Sequence, residues 1–130
     1  MNSATLTCIL VILILNICYG ADEKYTNKYD NINIDEILQS DRLLNNYMNC
    51  LLDKGRCTPD GAELKKNLPD ALEDECSKCS EYQKDRGRKA LKFLIEKRRG
   101  YFDQLEAKYD PDGKYRKRYE ENMKKEGITL

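Results

Sequence analysis

The sequence predicts an all-α fold: a compact, irregular bundle of about six short amphipathic helices, stapled by two local disulfides. Three observations predict it. Beyond residue 20 the chain has no Val or Trp, only five Ile and three Thr, and such scarcity of β-branched residues disfavours sheets. Leu43, Leu44, Tyr47, Met48, Leu51 and Leu52 recur at i, i+1, i+4, i+5, i+8 and i+9, one face of a helix. Cys50, Cys57, Cys76 and Cys79, the four cysteines beyond residue 20, are spaced for short loops.

Leu6 to Cys18 is uncharged and almost wholly apolar. It falls short of the roughly twenty residues a membrane-spanning helix needs. It fits the core of a secretory signal over residues 1–20, cut before Ala21, although no basic residue precedes it. Residues 21–130 then form one exported domain.

Within that domain, Tyr25 to Ile32 (YTNKYDNI) has no helical period and is expected to lie extended over the body. Asn33 caps a short helix with Ile34, Ile37 and Leu38 on its apolar face, and Glu36 stands at the capping-box position. Ser40 or Asp41 caps the helix of the Leu43–Leu52 stripe. Thr58-Pro59 opens a helix with Leu64 and Leu68 inward. Pro69 is expected to end it and start another, carrying Leu72, Cys76 and Cys79. Ser80 and Gln83 form the capping box of a long helix bearing Tyr82, Ala90, Leu91, Phe93, Leu94 and Ile95, weakened at Gly87 and broken by Gly100. Tyr101, Phe102, Leu105 and Tyr109 mark a further helix, which YDPDGK stops. Tyr115, Tyr119 and Met123 mark a last, weakly specified one.

An even number of cysteines in a small exported chain favours disulfides. A zinc site would use short knuckles in both halves, and the Cys50–Cys57 spacing is too wide for one. A redox-active CSKC would need a preceding strand, whereas LPDALEDE reads as helical. On a helix, i and i+3 lie within bridging distance, so Cys76 can pair with Cys79. Seven residues of unbroken helix span about 10 Å, too far for a bridge. Cys50–Cys57 therefore requires the helix to end between them, and Gly55 is placed to end it.

The sequence has no His, which removes the commonest general base and the nucleophilic triads built on it. No glycine-rich phosphate loop follows a strand, and the adjacent carboxylate pairs diverge on their helices. Residues 21–80 hold 13 acids and 8 bases; residues 81–130 hold 10 acids and 15 bases. Acids and bases alternate closely in the basic half, the pattern of solvated helix faces rather than a nucleic-acid surface. No catalysis and no cofactor are expected. A tyrosine in an aliphatic stripe is ordinarily core with its hydroxyl at the edge. The functional reading is that such rings line a cavity and swing to admit an apolar guest.

The spacing Cys50-x6-Cys57-x18-Cys76-x2-Cys79 resembles that of the insect chemosensory proteins, the OS-D or ejaculatory bulb-specific protein 3 group. So do YTNKYDNINIDEIL, SDRLLNNYMNCLLDKGRCTPDGAELK, LPDALEDECSKCSEYQ and LEAKYDPDGKYRKRY, together nearly all of residues 21–130. The resemblance implies helices around an apolar tunnel, disulfides between adjacent cysteines, and carriage of fatty acids, alcohols or pheromone-like esters. It places Tyr29 near the tunnel mouth and Tyr47 where a family tyrosine moves to admit ligand. Phe102 and Tyr115 stand where members carry Trp, and Arg99 where a Pro is common. With the inward stripes, the expected ligand contacts are Tyr29 and Ile37, then Leu43, Leu44, Tyr47 and Leu51. Leu64, Leu68 and Leu72 follow, and then Leu94, Phe102, Leu105 and Tyr115. The expected partner is a small apolar ligand carried by a monomer, without nucleic acid or stable membrane anchoring. The rival reading is an exported signalling, developmental or structural protein with a packed core and a protein partner.

Overall fold

Local capping starts four of the six helices. In the computed structural model, which describes residues 24–130, Asn33 accepts the Glu36 N–H at the start of α1 (Ile34–Gln39). The expected signal at residues 1–20 lies outside the described residues. Ser40 alone separates α1 from α2 (Asp41–Leu51): its N–H closes α1 and its hydroxyl accepts the Leu43 N–H of α2. Thr58 caps α3 (Pro59–Glu73) with Pro59 in the first turn. Ser80 and Gln83 exchange both capping-box bonds at α4 (Glu81–Lys97). Among the described residues there is no strand, and no helix is long and apolar enough to cross a membrane.

Helix ends depart from the expectation in three places. α2 stops before Gly55, because Asp53 takes the left-handed conformation (φ 60°) and the Asn49 carbonyl accepts the N–H groups of Lys54 and Gly55. α3 runs through Pro69 to Glu73, so one helix replaces the two expected. Proline removes one donor from the ladder but holds a helical φ, and Pro69 faces solvent where its ring has room. Arg98, not Gly100, divides α4 from α5 (Arg99–Tyr109). Its N–H closes α4 on the Leu94 carbonyl, its own carbonyl starts α5, and its guanidinium is held 2.7 Å from Asp41.

The cysteines pair as Cys50–Cys57 and Cys76–Cys79, with Cα–Cα separations of 4.8 and 5.1 Å. The second pair is not on a helix face. Glu75 and Cys76 are left-handed (φ 58° and 61°), and the bridge closes a turn after α3. The Asp74 carboxylate supports that turn by accepting the Ser77 N–H and hydroxyl.

Asp110 joins α5 to α6 (Lys114–Lys125). Gly113 is left-handed, and the Asp110 carboxylate reaches past it to accept the N–H groups of Tyr115 and Arg116. The N-terminal segment crosses the outside: Tyr25 N–H donates to the Lys78 carbonyl, while Gln83 and Arg86 hold the Thr26 and Asp30 carbonyls. It turns over residues 28–31 rather than staying extended.

One apolar cluster fills the centre: Leu38 of α1, Leu44 and Met48 of α2, Leu94 and Ile95 of α4, Phe102 of α5, and Ile128 beyond α6. α3 adds no side chain to it and packs on α2 instead, through Gly61. A Cβ at Gly61 would lie 3.3 Å from Cys50 Sγ and 3.2 Å from Thr58 Oγ1, so a larger residue would push these side chains back by a few tenths of an ångström. Leu64, expected inward, is 47% exposed. The buried line of α3 passes through Gly61; Leu68 and Leu72 lie about 20° from it and Leu64 about 60°.

Candidate functional site

The expected ligand contacts divide into three groups. Leu44, Leu94 and Phe102 converge in the central cluster, and Leu105 packs half-buried against it. Leu51 is buried outside that cluster, while Ile37, Leu43, Tyr47, Leu68 and Leu72 are half-buried. Tyr29, Tyr115 and the exposed Leu64 stand apart. Tyr29 belongs to the outer N-terminal segment, and Tyr115 donates to Glu73 at the end of α3. Leu38, Met48, Ile95 and Ile128 complete the cluster without having been singled out as contacts. Three of these four sit on apolar stripes visible in the sequence. Only Ile128 lies beyond every expected helix, and its signal is the Gly127-Ile128 pair after α6.

Tyr47 lies outside this centre, on the face of α2 turned toward α3. Its ring projects from α2 toward the first turn of α3, and its hydroxyl donates to the Asp60 carboxylate. Burial, reinforced by Asp60, pushes the phenol up to about 12. Burial also acts against the charged form of Asp60. Hydrogen bonds from Thr58, Tyr47 and the N–H groups of Asp60 and Gly61 outweigh it and hold the carboxyl below its usual range. At neutral pH the pair is therefore a neutral donor on an ionised acceptor, which pins the ring to α3.

Two surface clefts are lined by none of the buried cluster residues, although Ile34, which packs on the cluster, borders the second. One, of about 310 Å³, is lined by Asn46, Asn49, Gly55, Arg56, Cys57 and Thr58. The other, of about 590 Å³, lies between residues 30–35 and Tyr82, Asp85, Arg86 and Lys89 of α4. Both are open, and their charged groups are partly spent internally: Lys89 pairs with Asp35, and Arg86 donates to the Asp30 and Ile32 carbonyls. No cluster of His, Cys, Asp or Glu suited to a metal occurs among the described residues. What the arrangement offers is an apolar interior formed by four helices and one following segment, with a hydrogen-bonded tyrosine between α2 and α3 outside it.

Comparison with known proteins agrees with that arrangement. The model of the insect pheromone-binding family A10/OS-D matches residues 25–117. Ejaculatory bulb-specific protein 3 of Drosophila melanogaster is 53% identical over 94% of this chain and 98% of its own length. A chemosensory protein solved in complex with bromo-dodecanol is 48% identical, covering 76% of this chain and 99% of that one, with a TM-score of 0.71. Antennal chemosensory protein A6 from the moth Mamestra brassicae is 44% identical over 76% of this chain and 97% of that one, with a TM-score of 0.64. The chain belongs to the insect pheromone-binding A10/OS-D family of chemosensory proteins.

Proposed function

We propose that the protein is an exported, monomeric carrier that encloses a long-chain apolar molecule among α1, α2, α4 and α5 without transforming it. The observation that carries this reading is the bromo-dodecanol complex of a chemosensory protein 48% identical to this chain. The cluster of Leu44, Leu94 and Phe102 supplies matching chemistry here. Burial of each ligand methylene contributes about 0.8 kcal/mol before the costs of association. A sixteen-carbon chain then binds at roughly micromolar strength with loose selectivity. Because Leu44, Leu94 and Phe102 are buried against one another, entry requires side chains to move. Tyr47, between the cluster residues Leu44 and Met48 in the sequence of α2 but turned toward α3, is the candidate gate. The uncharged Leu6–Cys18 run supports export, and the lack of His supports carriage without chemistry. The experiment is displacement of an apolar fluorophore by acids, alcohols and esters of twelve to eighteen carbons. Displacement by at least one class is expected, and none by any of them overturns the reading.

The packed centre favours a second reading, an exported signalling or structural protein with a protein partner. Native mass spectrometry of protein purified from its source distinguishes the two. A co-purifying lipid supports the carrier, and a stoichiometric protein supports the rival.

A further inference from the structure

After Phe102 the chain buries no further residue until Ile128, which is 3% exposed and lies beyond the last helix. α6 itself buries none of its residues. Gly127 takes the left-handed conformation (φ 76°) and turns the chain back over the end of α6. Its N–H donates to the Lys124 carbonyl at 3.1 Å, and the Ile128 N–H to the Met123 carbonyl at 2.9 Å. Residues then alternate: Ile128 is buried, Thr129 exposed, and Leu130 packs half-buried against the same cluster as Ile128.

The contrast between its two attachments is informative. Among the described residues, every hydrogen bond of this segment runs back to α6 and none reaches α1, α2, α4 or α5. Its hold on the centre is apolar contact alone, with the cluster of Leu38, Leu44, Met48 and Phe102. Apolar burial is non-directional and scales with area, so ligand methylenes can replace these side chains without leaving a buried polar group unpaired. The hinge is already present, because a left-handed glycine has no Cβ to resist rotation.

We propose that Gly127–Leu130 is a plug, with Ile128 and Leu130 occupying the part of the apolar centre that a ligand chain takes, and that a bound chain displaces them. This rests on the carrier reading and adds a length filter to it. The two side chains together hold about eight carbons, so a guest must bury roughly that many to exchange with them. Shorter chains are excluded by the plug rather than by the size of the site. The plug also scales apparent affinity down to the fraction of molecules in which it is displaced.

The test titrates N-phenylnaphthylamine into the full chain and into a chain ending at Glu126, then displaces it with alcohols of six to sixteen carbons. In the full chain, only alcohols longer than about eight carbons should compete. The shortened chain should bind the probe about tenfold more tightly and accept the six- and eight-carbon alcohols as well. Equal or weaker probe binding with an unchanged length profile overturns the plug while leaving the carrier intact. Probe binding by neither chain overturns both. Should the shortened chain fail to fold, Ile128→Ala carries the same expectations. In the full chain, hexadecanol should also speed hydrogen exchange at the Ile128 amide, and unchanged protection there overturns displacement.

Discussion

The ends of α2 and α3 are closed by the same parts in different surroundings. After each helix the chain passes through left-handed residues, Asp53 in one case and Glu75 and Cys76 in the other. Each end carries a disulfide. Each also receives a basic residue and the tyrosine that follows it from the last third of the sequence. At α2, Lys108 Nζ and Tyr109 OH both donate to the Leu51 carbonyl, at 2.6 and 2.7 Å. At α3, Arg118 and Tyr119 both donate to the Leu72 carbonyl, and Arg118 also to that of Glu73. In each pair the cation lies over its neighbour's ring, 4.9 Å from the centroid for Lys108 and 5.3 Å for Arg118.

The difference is burial. The accepting residue Leu51 is 6% exposed, whereas Leu72 is only half-buried; each disulfide has one buried cysteine, Cys50 at 2% and Cys79 at 8%, and one half-buried partner. Corresponding hydrogen bonds therefore close on a buried carbonyl-bearing residue in one case and a half-buried one in the other, and the more buried one carries more energy. The pairing also explains the division of charge. Helix C-termini carry partial negative charge. The two from the acidic half are closed by cations of the basic half, so the basic residues have an intramolecular use.

The largest expected effect comes from breaking the staples. Removal of Cys50–Cys57 by paired alanine substitution should cost about 3 kcal/mol, from loop closure and the packing of buried Cys50. Cys76–Cys79 closes a smaller loop, so its removal should cost about 2 kcal/mol or less. Urea unfolding of the two double variants checks this, and equal losses would mean that loop size does not distinguish the two ends.

A smaller effect should follow from the tyrosines. Tyr109→Phe removes one donor from the Leu51 carbonyl and should cost about 1 kcal/mol, with Tyr119→Phe costing less. Thermal melts of both variants provide the measurement, and the reverse order contradicts the ranking.

These closures also show where sequence reading succeeds. Asn33, Ser40, Thr58 and Ser80 each cap a helix with a side chain acting three residues ahead, so the signal is local and legible. Helix ends are settled from afar. Nothing near Asp53 tells that Lys65 and Lys108 will meet its carboxylate, so Gly55 is the natural choice for a stop. Pro69 and Gly100 mislead for the same reason: local breaking tendency is real but small beside the tertiary contacts. The site divides likewise. Leu44, Leu94 and Phe102 lie on stripes that converge. Leu64 lies on a stripe whose buried line is set by Gly61, and Ile128 belongs to no stripe at all.

The smallest expected effect concerns charge at the two ends, and it sharpens the comparison most. Hydrogen bonds from Lys108 and then Lys65 lower the Asp53 carboxyl to about 2. At the α3 end, Glu73 is likewise held below its usual range, by Tyr115 and then Lys114. A carboxyl whose folded value is depressed stabilises the fold above its unfolded value, here about 4, and loses that contribution as pH falls through the folded value. Asp53→Asn is a clean probe because asparagine tolerates the left-handed backbone at least as well as aspartate, so mainly charge is removed. Wild type should be more stable than this variant at pH 6, and the difference should shrink from about pH 4 and vanish near pH 2. Both ends are exposed at these carboxylates, so added salt should shrink the difference for Asp53→Asn and for Glu73→Gln alike. Denaturant unfolding across pH at low and high salt decides it. A difference for Asp53→Asn that ignores both pH and salt would show that Asp53 acts through its backbone conformation and not through Lys65 and Lys108.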